Sequence, residues 1–152
     1  MINYKIAKKI LLNSKIKIEN ESINCFDSLN RVCASDTYSL VNYPSGNNAA
    51  FDGFAINSRE TNKLNKNNLQ KFKILKIIAA GDNPKINKVK KFQTIEIMTG
   101  AIIPKYFDTI IPIEQIKFYP NNDNKKYILI DNKIKKNQHI RYVGSDYKKK
   151  DL

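Results

Sequence analysis

Cysteine, histidine, arginine and long apolar runs are all scarce in this sequence of 152 residues. The two cysteines, Cys25 and Cys33, lack the close pairing and histidine partners of a zinc site, and the one histidine, His139, lies far along the chain. They read as reduced, packed thiols, which fits a cytoplasmic protein. No apolar stretch nears the roughly 20 residues that cross a bilayer, and Lys5, Lys8 and Lys9 break up the apolar N-terminus where a secretory signal needs a continuous core. The expectation is a soluble protein with no membrane partner.

Arginine occurs only at positions 31, 59 and 141, although the formal net charge is +13. Such a charge invites a nucleic-acid reading, because clustered cations release counterions from a phosphate backbone. A surface that reads nucleic acid draws on arginine, whose planar fork takes phosphate or guanine at two points. Here lysine, asparagine and isoleucine supply 67 of the 152 residues, and all three have codons rich in A and T. The lysines are spread along the chain apart from short runs at 88–91 and 148–150. A basic nucleic-acid-binding domain is therefore the weaker reading.

What remains is enough chain for one ordinary domain or two small lobes. Ile2, Ile6 and Ile10, with Ala7 and Leu11, recur at near-helical spacing and predict an amphipathic helix over 2–13. Phe26, Leu29, Val32 and Cys33 form a second stripe, predicting a helix from Cys25 to Ala34. An extended segment follows and ends at Tyr43-Pro44. Beyond it come short runs rich in isoleucine and aromatics, at 54–57, 72–79, 94–98, 109–113, 116–119, 127–130 and 139–143. Residues 120–124 read as a hairpin loop, and 58–71 as a surface connection or short irregular helix.

Four segments combine glycine with a carboxylate or hydroxyl at a predicted strand boundary. In Asn48-Ala49-Ala50-Phe51-Asp52-Gly53-Phe54 the glycine allows either a tight turn or the close approach of another group. In Ile97-Met98-Thr99-Gly100-Ala101 a strand ends in a hydroxyl and an unhindered amide, donors suited to a phosphate or oxyanion. Asp108-Thr109-Ile110-Ile111-Pro112-Ile113-Glu114 carries an acid at each end, and Ile140-Arg141-Tyr142-Val143-Gly144-Ser145-Asp146 leads from a strand to Gly and Asp. Each alone is also an ordinary turn, strand end or loop cap. Their order and spacing together carry more.

In that order the segments resemble the N-terminal half of the molybdopterin molybdenumtransferase family, which includes the C-terminal region of gephyrin. Residues 48–56 resemble its Asn-Ser-Ala-Met-Asp-Gly-Tyr-Ala-Val stretch, and Ala80-Gly81 its Ala-Gly step. Residues 97–101 with Pro104 follow its Ile-Met-Thr-Gly-Ala-x-x-Pro segment, and Asp108–Ile111 with Glu114 its Asp-Ala-Val-Val…Glu. Ile140-Arg141 with Gly144 and Asp146 is similar to its Ile-Arg-x-x-Gly-Glu-Asp, and 29–36 to its Leu-Gly-Arg-Val-Leu-Ala-Glu-Asp helix end. Ala49, Phe51, Phe54, Asn137, His139 and Ser145 depart from the pattern.

The resemblance implies an α+β fold, with 1–43 plus 139–152 as a discontinuous helix/strand linker and dimerisation lobe and 44–138 as an inserted, mainly β lobe. It implies a homodimer that transfers molybdate-derived molybdenum to adenylylated molybdopterin. It also implies a separate pterin-binding domain beyond the matched region, so the chain is expected to be a truncated or divided form. Asp52, Thr99 and Asp146 match positions expected at the reaction site, with Thr99, Gly100 and Gly53 contacting substrate or cofactor. A carboxylate such as Asp52 supplies the hard oxygen ligand that Mg²⁺ prefers. The competing expectation is a non-catalytic dimerisation or binding remnant of the same family.

Overall fold

The computed structural model describes residues 2–15, 18–120 and 126–152. Its contacts divide the chain into two compact units, Met1–Thr37 and Tyr38–Leu152. Together they make a mixed α+β fold with a single α-helix among the described residues.

In the first unit, helix α1 (Tyr4–Asn13) starts where the Asn3 side chain accepts a hydrogen bond from the Lys5 N–H at 2.9 Å. That side-chain oxygen satisfies one of the donors a helix start leaves open. At the other end the Ser14 hydroxyl donates to the Ile10 carbonyl at 2.8 Å. The helix buries none of its residues, and its apolar stripe at Ile6 and Ile10 stays exposed.

The expected second helix is absent. Cys25–Asp27 form one 3₁₀ turn, and Asn30 adopts φ 64°, a left-handed conformation that a right-handed helix cannot pass through. The stripe that suggested a helix packs on nothing, since Phe26 and Val32 are 95% and 94% exposed. Helices of this length draw their stability from packing an apolar face, which this segment does not have within the chain. Cys25 and Cys33 are free, as expected, but exposed rather than packed.

The second unit contains the eight strands found among the described residues: β1 (Asn48–Ala49), β2 (Gly53–Ile56), β3 (Gln70–Ile78), β4 (Gln93–Ile97), β5 (Thr109–Pro112), β6 (Lys117–Tyr119), β7 (Tyr127–Ile130) and β8 (Ile140–Arg141). Six form one sheet in the order β5-β2-β4-β3-β7-β6, with β3–β4 its one parallel pair, while β1 pairs antiparallel with β8. The expected hairpin loop falls mostly on residues outside the described set.

Both faces of the sheet are covered. Phe54 and Ile56 of β2 join Phe72, Ile111 and Ile128 in one cluster, while Ala55 joins Ile78, Ile95, Ile97 and Ile110 in the other. Alternation along a strand sends successive side chains to opposite faces. A register shift between Ile74 and Ile77 interrupts β3. It lets Phe72 serve one cluster and Ile78 the other, although both are even-numbered.

The segment 58–71 is more structural than expected. Ser58–Thr61 form a 3₁₀ turn with Ser58 and Thr61 buried. The Asp108 carboxylate clamps this turn by accepting from the Ser58 N–H at 2.7 Å and the Ser58 hydroxyl at 3.0 Å.

The C-terminal residues return to the chain's earlier extended segment. The Tyr43 N–H donates to Tyr147 O at 2.9 Å, and Ser39 exchanges backbone hydrogen bonds with Lys150 and Asp151. Residues 139–152 thus partner residues 39–49, and within this chain both segments cluster with the sheet. Among the described residues no helix is long and apolar enough to cross a membrane.

Candidate functional site

Strand register brings two of the sequence-selected residues together at one end of the sheet. β2 and β4 run antiparallel with Gly53 opposite Ile97, so the residue before β2 and the residues after β4 emerge side by side. Asp52 and Thr99 occupy those places. The Thr99 N–H donates to Asp52 Oδ1 at 2.6 Å, and the Thr99 hydroxyl donates to the same oxygen at 2.7 Å. Both residues are exposed. The backbone is secured as well, because the Ile113 N–H donates to Asp52 O at 3.0 Å.

The two Thr99 donors hold the Asp52 carboxyl below the usual carboxylate value of 3.8, the backbone N–H having the larger effect and the hydroxyl the smaller. Desolvation acts weakly the other way. At neutral pH the group is therefore an ionised carboxylate, with one oxygen engaged by Thr99. Charged-form hydrogen bonds also tie its ionisation to folding. Because the folded pKa lies below the unfolded one, this stabilisation is present above pH 3.8 and is lost as pH falls through the folded value. Thr99→Val is expected to remove the hydroxyl's share of this dependence. Urea unfolding of both proteins on either side of that pH checks it.

The glycines do other work than expected. A Cβ at Gly53 would lie 2.0 Å from the Ile111 carbonyl oxygen, so this residue is glycine to let β5 approach, and no space beside it is open to a ligand. The group that comes close at Gly53 is the β5 backbone. The Gly100 N–H donates to Ala49 O at 2.9 Å while Gly100 holds φ +83°. Its amide is committed within the chain, as are both Thr99 donors. The expected anion cradle at 99–100 is thus a clasp that joins the end of β4 to β1 and to Asp52.

Asp146 does not join this pair. Arg141 on β8 donates to its Oδ2, the Ser145 hydroxyl donates to Oδ1 at 3.3 Å, and its own N–H donates to Tyr43 O at 3.1 Å. No hydrogen bond among the described residues links Asp146 to Asp52 or Thr99. Its carboxylate is occupied in fastening the turn after β8, so the expected reaction-site position is not observed here.

Two neighbours of the site were not selected from sequence. The His139 ring meets Phe51 edge-on at 5.0 Å, and the His139 carbonyl accepts from the Ala50 N–H at 3.0 Å. His139 and Asn137 have φ of 56° and 67°, a region that glycine and asparagine adopt at least cost. These are two positions where the chain departs from the family pattern, which has Gly and Asn there. The Asn48 side-chain oxygen is buried without a hydrogen-bond partner on the strand leading to Asp52.

A single exposed carboxylate fits one part of a Mg²⁺ shell, since that ion commonly takes one or two protein carboxylates and fills the rest with water and phosphate. Among the described residues no group of three or more His, Cys, Asp or Glu side chains is placed to hold a metal ion.

The architecture is shared with solved proteins. The fold superposes on the crystal structure of the molybdopterin biosynthesis MoeA protein from Pyrococcus horikoshii OT3 with a TM-score of 0.86 at 27% identity, over all of this chain and 39% of that one. A second structure of a Pyrococcus MoeA protein gives a TM-score of 0.79 at 25% identity, over 99% of this chain and 37% of that one. The chain belongs to the MoeA family: the model of the MoeA N-terminal region (domain I and II) matches residues 2–152. Its curated relatives include the molybdopterin molybdenumtransferase of Haemophilus influenzae, 32% identical over 95% of this chain and 33% of that protein. That of Bacillus subtilis is 28% identical over 86% of this chain and 30% of that protein. The chain thus spans about a third of the length of these relatives.

Proposed function

We propose that this chain supplies the N-terminal part of a molybdopterin molybdenumtransferase, which inserts molybdate-derived molybdenum into adenylylated molybdopterin in the cytoplasm. The observation that carries the reading is the Asp52–Thr99 clasp. Inside a family-matched chain, residues far apart in sequence meet at one exposed sheet end and present an ionised carboxylate. Asp52 is the working group and Thr99 its positioning residue. Thr99 fixes the direction of Oδ1 and holds the carboxylate charged, so that Asp52 can take a cation or orient a water molecule at neutral pH. A Mg²⁺ ion held there would neutralise charge on phosphate oxygens. The pterin-binding domain would come from outside these residues, and lysine-rich surroundings would favour the anionic substrates.

The experiment is molybdenum insertion by the protein supplied with a pterin-binding domain, comparing Asp52→Asn with the unaltered chain. Loss of insertion with unchanged substrate binding supports the role, and normal insertion removes Asp52 from the reaction.

The same reading includes a homodimer, supported by the apolar side chains that the first unit leaves in solvent, Phe26 and Val32 above all. Stable interfaces bury apolar and aromatic residues at their centres. In sedimentation equilibrium the chain is expected to dimerise, and Phe26→Asp with Val32→Asp to shift it to monomer at least about tenfold more readily, as roughly 1.4 kcal/mol implies. Unchanged association in that variant would place the contact elsewhere.

A further inference from the structure

The basic charge of this chain is not evenly placed in function. Residues 59–91 hold ten of its 27 lysines and arginines but two of its 14 acids, Glu60 and Asp82, so eight of the thirteen net charges arise there. Both acids are turned onto protein donors. Asp82 accepts from the Ala79 N–H at 2.8 Å. Glu60 accepts from the Tyr106 hydroxyl through one oxygen and from the Phe92 N–H at 2.7 Å through the other.

This segment also lines most of an open hollow of about 660 Å³ that includes neither Asp52 nor Thr99. Arg59, Lys63 and Lys91 stand on its wall, and none of the three is in an ion pair among the described residues. Among its mostly polar lining it has two apolar side chains: Leu64, 9% exposed, and Phe92, whose ring packs edge-on against Phe72 at 5.5 Å. Phe92 keeps a φ of 57°, which a bulky side chain adopts only when its surroundings hold it. The Glu60 and Phe72 contacts hold it, together with the Lys73 N–H, which donates to Phe92 O at 2.9 Å.

Three cations with no ion pair among the described residues, lining one hollow with Leu64 and Phe92, suit an anionic group on an apolar body. We propose that this cavity binds a small phosphate monoester carried on an apolar or aromatic body, with the phosphate against Arg59, Lys63 and Lys91 and the body on Leu64 and Phe92. Arginine takes phosphate oxygens in its planar fork while lysine acts as a point charge, and the volume lies within the range of small-molecule sites. Glu60 is one anion against these three cations, and its oxygens are turned onto the Phe92 N–H and the Tyr106 hydroxyl. The Tyr106 hydroxyl that engages one of them stays protonated at neutral pH, its pKa pushed up to about 12 by burial first and then by Glu60.

Phenyl phosphate is the probe, with phenol and inorganic phosphate as its two halves. In NMR titrations the amides of Asn62, Lys63 and Phe92 should shift saturably with phenyl phosphate, and either half should bind at least tenfold more weakly. Arg59→Gln with Lys91→Gln should weaken binding at least tenfold. Lys8→Gln with Lys9→Gln, which removes the same charge from α1, should change it less than twofold. Shifts that do not saturate, shifts confined to other residues, or equal weakening by both double variants would overturn the site. Should the first double variant fail to fold, the shift map on the unaltered chain and the Lys63→Gln titration decide alone. Molybdenum insertion plays no part in the readout, so this site stands or falls apart from the role of Asp52.

Discussion

On the proposed function, replacing Asp52 by alanine is expected to leave the fold intact and to slow molybdenum insertion, measured with a pterin-binding domain supplied, by at least about 10²-fold, the lower end of what a positioned acid–base group contributes. The fold should survive because Asp52 is exposed and its side chain makes no contact with either core cluster. Its backbone bond from Ile113 does not depend on the side chain. The activity should fall because no other carboxylate is bonded to Thr99: Asp146 is fastened to Arg141, and Asp108 is spent on Ser58. Circular dichroism and thermal unfolding check the first half, and single-turnover insertion checks the second. A variant that unfolds as the parent does and inserts at the parent rate would place the chemistry elsewhere.

Gly53→Ala should act in the opposite way, on the fold before the chemistry. The added methyl would meet Ile111 O at 2.0 Å, Ile111 C at 2.9 Å and Pro112 Cα at 3.0 Å, all backbone atoms of β5 that no rotamer change can move. β2 pairs with β5 along its whole length and with β4 on its other side. Relief therefore requires parting the edge strand β5 from β2. A loss of about 3 kcal/mol or more is expected, the upper end of overpacking costs. It would read as a large fall in the urea midpoint or as failure to fold. A midpoint within about 0.5 kcal/mol of the parent, the range of ordinary surface changes, would show that the strands separate easily. Because Asp52 is the neighbouring residue, this substitution should also disturb the clasp even where folded protein is recovered.

Much of the β unit was legible from sequence. Runs such as Thr109–Ile113 and Tyr127–Ile130 are short, rich in isoleucine and bounded by turn residues, and they became β5 and β7 with small changes at their ends. The unbroken apolar run of β5 is buried at all four positions, while β7 buries Ile128 and Ile130 and half-covers the residues beside them. The helix at Cys25–Ala34 was misread because an apolar stripe at helical spacing says nothing about whether a surface exists for it to cover, and here Phe26 and Val32 stand in solvent.

The candidate site was legible in part. The order of the motifs pointed to Asp52 and Thr99, but only the antiparallel register of β2 and β4 shows that they touch. Gly53 looked like a substrate contact because a glycine beside a carboxylate has two physical explanations. The choice between them rests on β5, which lies far along the chain. The Gly100 amide looked free because a strand end leaves its donors open until a partner is known. Its partner, Ala49, sits on the two-residue strand β1, too short to carry a periodic signal. The Arg141–Asp146 pair is local, and opposite charges five residues apart beside a strand offered a signal that could have been used.

Titration of the Asp52 side-chain carboxyl carbon by NMR, in the unaltered chain and in Thr99→Val, tests the clasp most directly. The arrangement predicts a midpoint below 3.8 in the first and a rise toward that value in the second, since the hydroxyl's hydrogen bond is lost while the stronger backbone one remains. A midpoint at or above 3.8 in the unaltered chain, with no response to the loss of the hydroxyl, would contradict it.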